Sequence, residues 1–301
     1  MTIKSVGVVG CGMMGGGIAQ VCASHGYQVT VLEADQDRLD HGLAGIRARL
    51  ARDVERGRLT QERYERALRR LKGTIDIAEL SPCDLVIEAV VEDLPTKEKI
   101  FSELGNMCGA EAILASNTSS LSLSTLAAAS HRPENVIGLH FFNPPTVLRL
   151  VEVISSESTS EAATEAAMAF CDSIDRLTVR VKDTPGFIVN RLLVPFIFDA
   201  IHMVESGTAI AEDIDQACKV GLSHAMGPLA TRSHRSRYPR QHQRVHVRRV
   251  RGAPLHGPAV PPAHGFPWPP GPQIRQGLLR IRRIGGHQCP YVTNSTATSQ
   301  R

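Results

Sequence analysis

Apolar residues in this chain fall in short unbroken runs separated by longer amphipathic stretches. Val6–Val9 is the first run and Val29–Leu32 the second. Short apolar runs bounded by Gly or polar turns predict strands buried on both faces. Between them, Ile18–Ala23 predicts a helix. Residues 37–72 are charged, with apolar positions at helical spacing, and predict a helical pair inserted after the second strand. "CDLVIEAVVED" predicts another strand, followed by a helix over about Leu94–Met107. "AILASNTSSLSL" predicts a strand that ends in a polar turn at Ser116–Ser120, and "NVIGLHFFNPP" and "LRLVEVI" two more strands close together. Thr184-Pro185-Gly186 then breaks the chain. Phe187–Glu205 predicts one long apolar helix, and "AEDIDQACKVGL" a shorter one with acids in its first turn. Strands alternating with helices predict an α/β domain over residues 1–183. The start of an all-helical domain follows over 184–230.

The first strand runs into Gly10-Cys11-Gly12-Met13-Met14-Gly15, a G-x-G-x-x-G loop that opens a helix. Gly10 permits a tight turn, Gly12 lets the backbone approach a pyrophosphate, and Gly15 lets helix and strand pack closely. The helix N-terminus offers N–H groups and positive dipole to phosphates. Glu33, at the end of the second strand, stands where a carboxylate accepts from an adenosine ribose, and it disfavours a 2′-phosphate. The expectation is a Rossmann-type NAD-binding domain, with NADP less suited. By itself the glycine pattern could be a Gly-rich turn. Strand, loop, helix, second strand and terminal acid together favour the cofactor.

Charge changes the picture beyond Ala230. The whole chain holds 34 Lys and Arg against 30 Asp and Glu. From Thr231 to Arg301 there are 13 Arg and no Lys, Asp or Glu, so only 21 of the 34 basic residues precede the boundary. Such a tail would attract nucleic-acid phosphate without sequence preference. It has few aromatics and no recognisable binding module, so no nucleic-acid partner is expected. No run is long and apolar enough to span a membrane. A strand begins almost at the first residue, which leaves no room for a targeting peptide. The seven Cys are scattered without CxxC or zinc-like spacing, so no metal is expected and the thiols suit the cytoplasm.

In a doubly wound sheet, ligands gather at the carboxyl ends of strands. Glu92 and the Asn117–Ser120 turn fall at such ends. His140 and Glu152 lie in the two later strands, and Asn190 lies in the long helix. Each has an ordinary structural explanation: a hydrogen-bonded strand His, an exposed strand acid, a turn-forming Ser119, a polar helix-face Asn190. The many Arg of 37–72 could meet an anion or form a solvated face.

The segments GCGMMG, IEAVVED, SNTSSL, GLHFFNPP, LVEVI, DTPGFIVNRLL and EDID…MGPLA cover nearly all of residues 3–230. In order and spacing the chain resembles the L-3-hydroxyacyl-CoA dehydrogenase family, most closely its bacterial 3-hydroxybutyryl-CoA members. The resemblance implies NAD-dependent hydride transfer on a 3-hydroxyacyl-CoA thioester. It implies His140 as general acid/base, Glu152 as its partner, and Ser119 and Asn190 as hydrogen-bond donors to the reacting oxygens. Asn143 would lie near the nicotinamide, and Glu92 and Lys97 at cofactor-contacting positions. Arg149 stands where relatives often carry Lys. The resemblance also implies a homodimer, which is doubtful for this chain, and a sugar-acid 3-dehydrogenase of the same family is a further reading.

Past MGPLA the resemblance stops. The family continues with a Leu-Ile-Gly-Leu-Asp-Thr-like segment and closes on Gly-x-Leu-Gly-x-Lys-Ser/Thr-Gly-x-Gly-Phe-Tyr-x-Tyr. Codons for Ser233–Pro239, read one base later, permit Leu-Ile-Gly-Leu-Asp-Thr. Trp268 has one codon. Dropping its first base gives Gly, and the codons through Arg282 then permit Arg-Leu-Gly-Arg-Lys-Ser-Gly-Lys-Gly-Phe-Tyr-Glu-Tyr. Two ordered motifs in one register point to a frameshift near Ala230, with residues 231–301 an aberrant Arg- and Pro-rich tail. An inactive, truncated NAD-binding remnant is therefore an alternative to an active enzyme.

Overall fold

The computed structural model describes residues 3–230. The Arg- and Pro-rich tail, with every expectation about it, lies outside the described residues. In chain order the elements are β1 (Ser5–Val9), α1 (Met13–Ser24), β2 (Gln28–Leu32), α2 (Gln36–Glu55), α3 (Gln61–Arg69) and β3 (Leu71–Thr74). Then follow β4 (Leu85–Glu88), α4 (Leu94–Met107), β5 (Ile113–Ser116), α5 (Leu123–Ala129), β6 (Val136–Phe141) and β7 (Leu150–Ser155). The last are α6 (Glu161–Ser173), β8 (Leu177–Lys182), α7 (Val189–Glu205) and α8 (Ala211–Gly221).

The strands form one sheet in the order β3-β2-β1-β4-β5-β6-β7-β8. Every neighbouring pair is parallel except β6–β7. The order reverses between β1 and β4, which opens a crevice at their carboxyl ends. Successive strand residues point to opposite faces. Val6, Val8, Leu85, Ile87, Ile113 and Ala115 pack with α1, α2, α3 and α6. Val9, Val86 and Leu114 pack with α4 and α5. Covering both faces removes the polar alternation that a half-exposed strand would show. Burying one such Ile or Val contributes roughly 1.5–3 kcal/mol.

The expected elements are present; α5, α6 and β8 are additional, and three expected elements differ in extent. The helix expected over Ile18–Ala23 begins at Met13, because Gly12 caps it within the glycine loop. The helical pair of 37–72 ends at Arg69, and Leu71–Thr74 instead pairs with β2 as an edge strand. A strand of one large apolar residue, "LKGT", gives no periodic signal. The long helix begins at Val189 rather than Phe187, since Gly186 and Phe187 have φ of 76° and 49°. Left-handed backbone cannot continue into a helix at those two residues. Among the described residues no helix is long and apolar enough to cross a membrane.

Candidate active site

The three loop glycines answer to different neighbours. A methyl on Gly10, whose φ is 92°, would lie 2.9 Å from the Ala89 carbonyl oxygen. A methyl on Gly15 would overlap the carbonyl oxygen of Gly10. The fold itself requires both. A methyl on Gly12 meets no protein atom within 4 Å. The loop is open at Gly12, and the N-cap of α1 makes no side-chain hydrogen bond. That is the arrangement a pyrophosphate needs. A cavity of about 860 Å³ opens beside it, lined by Gly10, Gly12, Glu33, Ile75, Val91 and Lys99 among others. Glu33 Oε1 accepts from the Cys11 amide at 2.6 Å, and Oε2 from the Ala34 amide at 3.1 Å. The loop and the end of β2 are thereby joined through the carboxylate expected on the ribose. These residues fit a dinucleotide.

The opposite side of the crevice carries the carboxyl ends of β4 and β5. Asn117 ties three strands together: its amide donates to the Glu88 carbonyl at 2.8 Å, and its Oδ1 accepts from the Phe141 amide at 2.9 Å. Glu92 Oε1 accepts from Thr118 Oγ1 at 2.5 Å and from the amides of Ser119 and Ser120 at 2.8 and 3.2 Å. Burial alone would raise this carboxyl. The Thr118 hydroxyl, the Lys97 ammonium and the Ser119 amide outweigh it and hold Glu92 below the usual carboxylate range. Lys97 is 1% exposed, its Nζ 2.6 Å from Glu88 and 3.2 Å from Glu92. Breaking a buried pair by removing one partner costs about 3–5 kcal/mol.

His140 and Glu152 are register partners on the antiparallel β6–β7 pair. Both are buried, and His140 Nδ1 lies 2.7 Å from Glu152 Oε2. A carboxylate only accepts, so Nδ1 carries a proton, and in the neutral ring Nε2 keeps its lone pair. The imidazole stands against Phe142, at a centroid distance of 4.6 Å, and Phe187, at 5.5 Å. Glu152 Oε1 accepts from the amides of Ile188 and Val189 at 3.0 and 2.9 Å, capping α7 from another strand. That carboxylate pins the first turn of α7, which carries Asn190, beside the His. Asp183 fastens the same junction to α5, accepting from the Ser124 amide at 2.9 Å and its hydroxyl at 2.8 Å.

Asn143 is exposed in the loop after β6, whose Pro145 packs so closely on α1 that a methyl on Gly17 would lie 2.5 Å from its Cγ. The expected site residues thus lie in three groups, Gly10–Glu33, Glu92–Ser119 and His140–Glu152–Asn190. Sequence reasoning missed Phe187 and Glu88. Phe187 sits within an apolar run, and only the flanking Gly186 hints at its special backbone. Glu88 reads as a strand-terminal acid. Arg63, Arg66 and Arg70 line a second cavity of about 480 Å³ with Ser24 and His25, at the negative end of the α1 dipole. A helix C-terminus favours cations, and Arg70 donates to the Ala23 carbonyl at 3.5 Å, so these arginines read as a solvated face.

Residues 5–184 match the family described as 3-hydroxyacyl-CoA dehydrogenase, NAD binding domain, and residues 186–234 match its C-terminal domain. The chain belongs to the 3-hydroxyacyl-CoA dehydrogenase family. It is 47% identical over 229 residues to 3-hydroxybutyryl-CoA dehydrogenase of Mycobacterium tuberculosis, covering 75% of this chain and 80% of that one. It is 41% identical over 230 residues to a probable 3-hydroxybutyryl-CoA dehydrogenase of Bacillus subtilis, covering 76% and 80%. The solved structure of M. tuberculosis FadB2 superposes with a TM-score of 0.74 at 46% identity, covering 76% of this chain and 81% of that one. NAD is the cofactor of the N-terminal domain.

Proposed function

We propose that the chain oxidises an L-3-hydroxyacyl-CoA thioester of the 3-hydroxybutyryl-CoA class to the 3-oxoacyl-CoA, and catalyses the reverse reduction. The observation that carries this reading is the buried His140–Glu152 pair beside a dinucleotide-fitted crevice. His140 Nε2 takes the 3-hydroxyl proton while the carbinol carbon gives up its hydrogen with both electrons. Glu152, fixed on Nδ1, holds the tautomer and faces the imidazolium that forms. NAD, when bound, supplies the two-electron acceptor. Ser119 and Asn190 would orient the reacting oxygens, and Asn143 would border the nicotinamide of a bound NAD. Glu33 holds the ribose and, with Gly10, Gly12 and Gly15, the loop under the phosphates. Glu92 would border the cofactor from the β4 side, with the buried Lys97 behind it. The free thiols of the described residues suit the cytoplasm. The test is acetoacetyl-CoA reduction followed by NADH absorbance, with a sugar acid and NAD as the comparison. Turnover of the sugar acid alone would replace this reading with the sugar-acid dehydrogenase one.

A second reading is an inactive remnant, produced by a frameshift near Ala230. It is favoured by the face that α7 and α8 leave uncovered among the described residues. Leu192 is 70% exposed and Val220 71%, with Leu193, Val194 and Leu222 also exposed. Exposed apolar side chains gathered on two helices in this way belong against further protein. The frameshift removes the helices that the family resemblance places after Ala230. The intact mass of the native protein separates the two readings.

A further inference from the structure

Lys97 occupies a position expected to touch cofactor, yet its side chain is 1% exposed and its ammonium is committed to two carboxylates. Glu88, 0% exposed, is fully engaged as well. Its Oε1 receives Lys97 Nζ at 2.6 Å and the Val90 amide at 2.7 Å, and its Oε2 receives Ser116 Oγ at 2.7 Å. The ammonium reaches past it to Glu92 Oε2 at 3.2 Å. The other oxygen of Glu92 gathers the Thr118–Ser120 turn. Besides the three bonds already described, the hydroxyls of Ser119 and Ser120 lie at 3.4 and 3.3 Å.

We propose that Lys97, clamped by Glu88, is a positioning residue whose ammonium fixes the Glu92 carboxylate and thereby sets the turn that presents Ser119. The proposal rests on the role assigned to Ser119 above. An oxygen facing five donors belongs to an ionised carboxylate, which only accepts. The charged group facing Glu92 is Lys97 from α4, with Glu88 behind it on β4. The β5–α5 turn supplies only amides and hydroxyls. Without the ammonium, the half-exposed Glu92 takes up a proton at higher pH. A carboxyl protonated on Oε2 leaves Oε1 uncharged and a weaker acceptor for the turn.

The test uses the full chain, with Lys97→Met and the double variant Glu88→Gln/Lys97→Met. The double variant leaves no buried charge unpaired, so it carries the test if the single variant fails to fold. Amide exchange read by mass spectrometry should accelerate about tenfold or more in residues 117–122, the loss of roughly one hydrogen bond to a charged group. The β1 peptide should be unchanged. In acetoacetyl-CoA reduction, which draws a proton from His140, both variants should gain an acid-side decline absent from the parent, at pH values where their melts show them folded. Parental exchange over 117–122 in a folded double variant overturns the proposal. The exchange measurement needs no substrate, so it decides the point even if the protein proves inactive toward acyl-CoA.

Discussion

Glu152 binds His140 through one oxygen and the start of α7 through the other, at 2.7 Å to Nδ1 and 3.0 and 2.9 Å to the Ile188 and Val189 amides. The partner of the proposed base is also the N-terminal anchor of a helix. Glu152→Gln keeps an acceptor for the amides but offers an N–H to the imidazole. Turnover should fall by about 10³–10⁴-fold with the melting temperature nearly held. Glu152→Ala loses both contacts and should in addition cost about 1–2 kcal/mol, the range of a lost N-cap. Steady-state kinetics and thermal melts of the two variants separate these effects. Equal stability of the two would refute the anchoring role.

His140→Gln removes the proton acceptor and leaves the Gly10–Glu33 side of the crevice untouched. The expected loss in kcat is about 10²–10⁴-fold, the range of general acid–base catalysis. NADH affinity, measured by fluorescence titration, should stay within a few-fold of the parent.

Glu33→Ala acts on the cofactor from two directions. It removes the acceptor on the Cys11 amide as well as the carboxylate that repels a 2′-phosphate. KM for NAD should rise and the preference for NAD over NADP should narrow, each by about tenfold or more, as expected for a lost bond to a charged group. A variant that kept full discrimination would place the determinant elsewhere.

Buried thiols set the alkaline limit. Burial pushes Cys11 up to about 11, with Glu33 adding to it, and burial pushes Cys22 and Cys83 up to about 12, all from 9.0. The folded state keeps these thiols neutral where the unfolded chain ionises them. Their contribution is therefore complete below pH 9 and is lost as pH rises from 9 toward 12. Melting temperature should fall over that window, and Cys22→Ala should flatten the fall. Iodoacetamide at pH 8 should leave Cys11 nearly unmodified despite its place in the loop.

Restoring the shifted frame after Ala230 should cover the α7 face. Dye binding to exposed apolar surface should drop and the protein should become dimeric by light scattering, as the family resemblance implies. Sequencing the gene across the Ala230 codon checks the premise directly. An intact frame with stops in the neighbouring register would end the idea.

The sheet was legible because both of its faces are covered. Val6–Val9, Leu85–Ile87 and Ile113–Ala115 appear as unbroken apolar runs, and the glycine loop follows the first of them. β3 was not, since an edge strand with one large apolar residue resembles the end of a charged helix. His140 and Glu152 were nameable from their motifs. Their direct opposition depends on the antiparallel turn of β7, which no local pattern specifies. The cap that Glu152 provides for α7 joins residues 36 positions apart. Helix-start signals are sought in the residue just before a helix, where Ile188 offers no acceptor. Glu88 and Lys97 carry charge in positions that composition assigns to the surface, and only their mutual contact explains why both are buried.

Gly12 offers a use that the other two loop glycines do not. Because no protein atom stands near its missing side chain, an alanine there leaves the sheet, α1 and the His140–Glu152 pair as they are. Only the space above the loop becomes narrower. Such a protein would fold normally and be blind to its cofactor. It would provide a reference state in which substrate contacts can be measured without hydride transfer.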